Sequence, residues 1–170
     1  MEAIATQSGG GKAPAHLWIV GLLSLLWNAF GCFDYAMTNM RVPAYVAQLP
    51  ADMIDYIDAF PFWAIIAWGV GVGGGLLGAL GLLGRSVWAG YAFAFSVLGL
   101  ALTTFYQLSG TLPASMSTPA NWGMTAVIWI LALAQLFYAL RMRAKGVLRR
   151  AFSARRAGAR GAGRCRPRPG

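Results

Sequence analysis

Two stretches of this chain, Pro61 to Gly84 and Ser86 to Leu108, contain no charged residue and are separated by the single residue Arg85. As helices, both are long enough for the roughly 30 Å hydrocarbon core of a bilayer, which takes about 20 residues. So short a separation compels them to run antiparallel. Open strands could not satisfy their backbone groups in lipid, so both stretches are expected to be helical. Only 11% of the residues are charged and 58% are hydrophobic, against about 25% charged in an ordinary soluble domain. A soluble monomer is excluded on these grounds, and an integral membrane protein is expected.

Two further spans complete the pattern, one from Leu17 to about Met37 and one from Asn121 to Leu140. The expected fold is all-α: a four-transmembrane-helix bundle with a short amphipathic outer helix and a disordered basic C-terminal tail. The organisation is a cytoplasmic segment 1–16, a transmembrane domain 17–140 with spans about 17–37, 61–84, 86–108 and 121–140, and a tail 141–170. The outer helix is expected between Pro50 and Phe60. There Met53, Ile54, Ile57 and Phe60 segregate from Asp52, Asp55 and Asp58, so the apolar face can rest on the membrane or the bundle mouth. Residues 151–170 alternate Arg, Gly, Ala and Pro and have too little apolar surface to fold.

Charge sets the orientation. Of 14 Lys and Arg residues, 11 lie in residues 141–170, so the positive-inside rule places both termini in the cytoplasm with Lys12 and Arg85, leaving Arg41 outside. Trp18 and Trp88 then mark the inner boundary and Trp63 and Trp122 the outer one. Arg141, Arg143, Lys145, Arg149 and Arg150 are expected to contact anionic lipid headgroups, each contributing about 1 kcal/mol. The tail has a single aromatic residue, Phe152, and no series of them to stack on bases, so nucleic acid is not an expected partner. Cys32 and Cys165 belong to different depths, and no disulfide is expected between them.

Gly69-Val-Gly71-Val-Gly73-Gly74 matches the letters of a dinucleotide fingerprint. That motif needs a preceding strand and a following acid for the ribose, and this run lies inside an uncharged span. Its glycines, with Gly71, Gly74, Gly75 and Gly78 foremost, instead form overlapping G-x-x-x-G pairs that let backbones approach. Such a surface suits contact within the bundle or with another copy of the chain.

The second constellation is polar. Asp34 is the only acid inside a span, and an ionisable group there is a functional candidate, unless it lies shallow enough to be wetted at the interface. Antiparallel topology brings it level with Thr103, Thr104 and Gln107, with Tyr35 beside it and Asn28 one to two turns deeper. These six residues form either an outward-facing pocket for a small hydroxylated or cationic solute or a set of interhelical hydrogen bonds. His16 has no partner cluster for a zinc site, and Asp52, Asp55 and Asp58 lack the glycine turn of a calcium loop. No metal, cofactor or catalytic residue is expected, and the chain is not expected to be an enzyme.

Trp27-Asn28-Ala-Phe-Gly31-Cys-Phe-Asp34-Tyr35, followed by Phe60-Pro61-Phe-Trp63 and Thr103-Thr104, resembles a family of small uncharacterised bacterial inner-membrane proteins sharing a W-N-x-x-G-x-x-D-Y pattern. Some of its members are labelled sugar transporters. The resemblance covers about residues 16–110 and implies a multi-pass protein of the bacterial inner membrane. It brings no catalytic residue. The expected role is assembly or interaction, through a homo-oligomer or a membrane-protein partner that meets the glycine-rich helix. The alternative is a small-solute transporter, or a subunit of one, acting as an oligomer.

Overall fold

The computed structural model describes residues 14–148, which form six helices and no strand. They are α1 (Ala15–Asn39), α2 (Pro43–Val46), α3 (Ala51–Asp58), α4 (Phe62–Leu83), α5 (Trp88–Ser109) and α6 (Pro119–Ala144). Expectations for residues 1–13, Arg149, Arg150 and the rest of the basic tail fall outside the described residues. Helices α1, α4, α5 and α6 are each long and apolar enough to cross a membrane. The fold is therefore an all-α bundle of four such helices, the architecture of a multi-pass membrane protein.

Local sequence sets the helix ends. Pro14, Pro50 and Pro61 stand at the N-caps of α1, α3 and α4, while Pro43 and Pro119 open α2 and α6. A proline there loses no bond, because the first amides of a helix have no intrahelical acceptor. The Thr118 hydroxyl accepts from the Asn121 amide at 3.3 Å and caps α6. Arg41 and Arg85 follow α1 and α4 in the left-handed region, with φ of 53° and 54°. Each lets the next amide reach back to a carbonyl five residues earlier, Val42 to Met37 and Ser86 to Gly81. Glycine usually fills that position; arginine there accepts backbone strain of about 1 kcal/mol.

Helix α4 packs against both α5 and α1, and α6 packs on α5. The α4–α5 contact is the closest. A Cβ at Gly99 would stand 2.5 Å from both the Ala67 oxygen and the Gly71 nitrogen, and one at Gly74 would stand 2.9 Å from the Ser96 nitrogen. The Ser96 hydroxyl uses this proximity to donate to the Gly71 carbonyl at 2.5 Å.

The bundle is filled at one end only. Leu17, Ala79, Leu82, Ala89, Phe93, Ala139, Met142 and Leu148 form the buried core at the end where α1 begins and α6 finishes, here called the terminal end. The opposite end carries α3. Outward-facing side chains such as Leu26, Phe95, Ile130 and Phe137 stay exposed along the helices, as lipid-facing residues do.

Two details differ from the sequence expectation. The loop after α1 holds two short helices, because Val42 and Pro43 accept bonds that wind one further turn before α3. Helix α6 also runs past Leu140 to Ala144, with Arg141 and Arg143 in its last turn, where cations favour the negative end of the helix dipole.

Candidate functional site

Above the filled end lies a cavity of about 460 Å³. All four long helices contribute to it. Trp27, Asn28, Phe30, Gly31 and Asp34 come from α1, and Trp68, Gly71 and Val72 from α4. Helix α5 adds Ser96, Leu100, Thr103, Thr104 and Gln107, and α6 adds Asn121, Met124, Thr125, Ile128, Ala132 and Gln135. Among the α1 positions, Trp27, Gly31 and Asp34 follow at four and three residues, as do Asn28 and Gly31 at three and Phe30 and Asp34 at four, which is one face of a helix. Met53, Ile57 and Phe60, with Met116, cover the α3 end.

The floor is a hydrogen bond between the first and last long helices. Asn28 Nδ2 donates to Gln135 Oε1 at 2.9 Å and to the Ser24 carbonyl at 2.7 Å. Closer to the terminal end, His16 Nδ1 and the Tyr138 hydroxyl form a second bridge of 2.6 Å between α1 and α6. Phe30 on α1 and Met124 on α6 line the cavity yet are 69% and 54% exposed. The cavity therefore opens sideways between these two helices, on a face that looks into lipid.

The roof is α3, held on three sides. Asp58 pairs with Arg41 beside α1, and Asp52 Oδ2 accepts from the Ser115 amide at 3.0 Å in the loop before α6. That amide holds the Asp52 carboxyl below its ordinary value. Phe60 and Tyr56 meet Tyr106 of α5 at ring separations of 5.0 and 6.0 Å, and Tyr106 also packs edge-on to Trp63 at 5.6 Å. Burial pushes the Tyr56 hydroxyl up.

Within the cavity the polar groups divide into engaged and open ones. Thr103 and Thr104 both donate to the Leu100 carbonyl, and Thr104 also accepts from Trp129 Nε1 at 3.2 Å. Thr125 bonds the Asn121 carbonyl, and Asn121 bonds Met116. Asp34 Oδ1 accepts from the Tyr45 hydroxyl of α2, and this bond with the carboxylate pushes the phenol up to about 12. Among the described residues, no group donates to Asp34 Oδ2, the Gln107 amide makes no hydrogen bond, and Gln135 Nε2 has no acceptor.

Five of the six polar residues singled out in the sequence, Asn28, Asp34, Thr103, Thr104 and Gln107, lie on the cavity wall. Tyr35 does not. Its ring packs edge-on to Trp68 at 5.0 Å and its hydroxyl donates to the Ile65 carbonyl at 3.4 Å. The cavity also uses Ser96, Thr125 and Gln135. Of these Gln135 carries the plainest sequence signal, an amide in the middle of an apolar span. The four α4 glycines expected to form a contact face meet neighbours in the same chain: Gly71 and Gly74 the α5 backbone, Gly75 the Asn28 and Ser96 side chains, and Gly78 the Phe93 ring. Arg141, Arg143 and Lys145 are exposed at the terminal end, with the Arg143 guanidinium 5.0 Å from the Tyr91 ring centre. Among the described residues no group of His, Cys, Asp and Glu could hold a metal ion.

The chain has no match among protein-family models and no significant match among curated proteins or solved structures.

Proposed function

We propose that this chain binds a small solute inside the bilayer, in the cavity between α1 and α6, as a carrier or as a subunit of one. The observation that carries the reading is the open set of polar groups. Gln107, Gln135 Nε2 and Asp34 Oδ2 reach a cavity of solute size without a partner among the described residues. Such groups, open to the cavity, can hydrogen-bond a ligand that enters it, as the few placed polar groups of a ligand pocket do. The glycine face first considered for assembly is covered by α5 and α1 of the same chain, which moves the weight to the cavity.

Trp27, Asn28, Gly31 and Asp34, four of the residues behind the resemblance to the family with members labelled sugar transporters, share the cavity wall. That supports a solute as the ligand. The base distribution supports a bacterial inner membrane with both termini cytoplasmic, so α3 and the cavity belong to the outer half and the basic tail meets anionic lipid. Carriers of known plan move one bundle against another, so a single four-helix chain is read as one protomer of an oligomer.

The test is a thermal-unfolding screen of the full chain in lipid nanodiscs against neutral and cationic solutes, run beside Thr125→Trp, which places a bulky ring in the cavity. A ligand that binds only the folded state raises the unfolding temperature. Some solutes should stabilise the wild type and leave Thr125→Trp unchanged. Equal shifts in both proteins, or none in either, would remove the cavity as the site.

A further inference from the structure

The chemical class of the ligand follows from three features of the same cavity, and the inference rests on the reading that the cavity is a binding site. The first is charge. Among the described residues, Asp34 is the one ionisable side chain on the cavity wall, and no Lys, Arg or His joins it there. The described bases are committed elsewhere: Arg41 pairs with Asp58, Arg85 donates to the Val147 carbonyl, and His16, Arg141, Arg143 and Lys145 belong to the terminal end. A carboxylate attracts a cation and repels an anion.

The second feature is how the carboxylate is presented. Tyr45 donates to Oδ1 from outside the cavity and fixes the group, while Oδ2 has no donor among the described residues. The rings of Trp27, Phe60 and Trp68 share the wall with it, and aromatic faces add to the binding of a desolvated cation.

The third is the shape of the opening. The packed core closes the terminal end and α3 covers the other, whereas Phe30 and Met124 line the cavity and look out into lipid. A ligand that reaches this site along the bilayer, or leaves an apolar part there, fits such a slot.

We infer that the cavity takes a monocationic amphiphile, its charged head on Asp34 and its alkyl chain passing Phe30 and Met124 into the bilayer. The neutral amides Gln107 and Gln135 accommodate the head without adding charge. A phosphate or sulfate head would meet Asp34 beside neutral amides and hydroxyls, with no cation to pair among the described residues.

The experiment measures binding of radiolabelled dodecyltrimethylammonium to the full chain in nanodiscs of neutral lipid, with protein-free nanodiscs subtracted. Unlabelled dodecyltrimethylammonium, dodecyl sulfate and dodecyl maltoside, which share one chain, serve as competitors. Saturable binding displaced by the ammonium compound alone is expected. Asp34→Asn should weaken it by about tenfold or more, the scale of a lost ion pair at a partly desolvated site, while Asp34→Glu retains it at an unchanged unfolding temperature. Equal displacement by the maltoside would overturn the charge assignment while leaving the cavity as a site for a neutral amphiphile. Displacement by the sulfate, or no saturable binding, would overturn the inference even if the solute screen with Thr125→Trp succeeds. The competitor series uses the wild type, so the result stands even if Asp34→Asn does not fold.

Discussion

Asn28 and Gln135 are 107 residues apart in sequence and 2.9 Å apart in space, and their bond joins the two long helices that flank the cavity opening. It sets the depth of the site: packed apolar side chains lie on one side of it and the cavity on the other. Gln135→Leu keeps the size of the side chain and removes the acceptor, leaving Asn28 Nδ2 with the Ser24 carbonyl alone. The expected loss is about 1 kcal/mol of stability, within the range of interhelical hydrogen bonds in membranes. Reversible unfolding in mixed detergent reads it, and an unchanged midpoint would mean that the bond does not hold α1 to α6.

The glycines of the α4–α5 pair provide an internal contrast. A Cβ at Gly73 would meet nothing within 4 Å, whereas one at Gly99 on the facing helix would collide with the α4 backbone. Gly99→Ala should destabilise by about 1–3 kcal/mol, as overpacking does, and Gly73→Ala should be neutral or slightly stabilising because alanine favours the helix. Thermal unfolding of both variants checks the pair. Equal effects would contradict the close α4–α5 contact.

The roof helix depends on two carboxylates. Arg41→Ala combined with Asp52→Ala releases α3 from both of its flanking loops, and amide hydrogen exchange over Ala51–Asp58 should accelerate without loss of the four long helices. The Asp52 carboxyl titrates below its unfolded value. Its contribution is therefore complete above the unfolded value and is lost as the pH falls through the folded one. Protection of α3, corrected for intrinsic exchange, should stay level from neutral pH down to the ordinary carboxylate range and drop below it.

Tyr45 reports on Asp34 from outside the spans. Its phenol is raised from an ordinary 10.0 to about 12 by the carboxylate it bonds, so the stabilising contribution is whole below 10 and lost as the pH rises through 12. Ultraviolet titration of phenolate, taken as the difference between the wild type and Tyr45→Phe, should show this late transition. In an Asp34→Asn background the same difference should return toward 10. A phenol unmoved by Asp34→Asn would contradict the contact.

Much of this fold is legible in the sequence because the bilayer imposes a long, simple signal. The uncharged runs on either side of Arg85 announce two helices and their hairpin, and the segregation of Met53, Ile57 and Phe60 from three aspartates announces α3. Helix α2 leaves little trace: four residues show no periodicity, and Pro43 marks only where it starts. The candidate site is legible as a level rather than as a face. Antiparallel helices bring Asp34, Thr103, Thr104 and Gln107 to one height, with Asn28 one to two turns deeper. Which of them turn inward depends on helix rotation, and there Tyr35, one position beyond Asp34, swings to Trp68 instead. Pairing is hidden for the same reason: only packing decides that Gln135 meets Asn28 or that Ser96 spends its hydroxyl on Gly71.

Occupancy of the cavity tests the central claim most directly. Native mass spectrometry of the wild type and Thr125→Trp, released from nanodiscs made with lipid of the producing cells, reads subunit number and any retained small molecule together. A molecule other than ordinary phospholipid, held by the wild type and absent from a folded Thr125→Trp, is the predicted result. Phospholipid alone in both proteins would contradict the account.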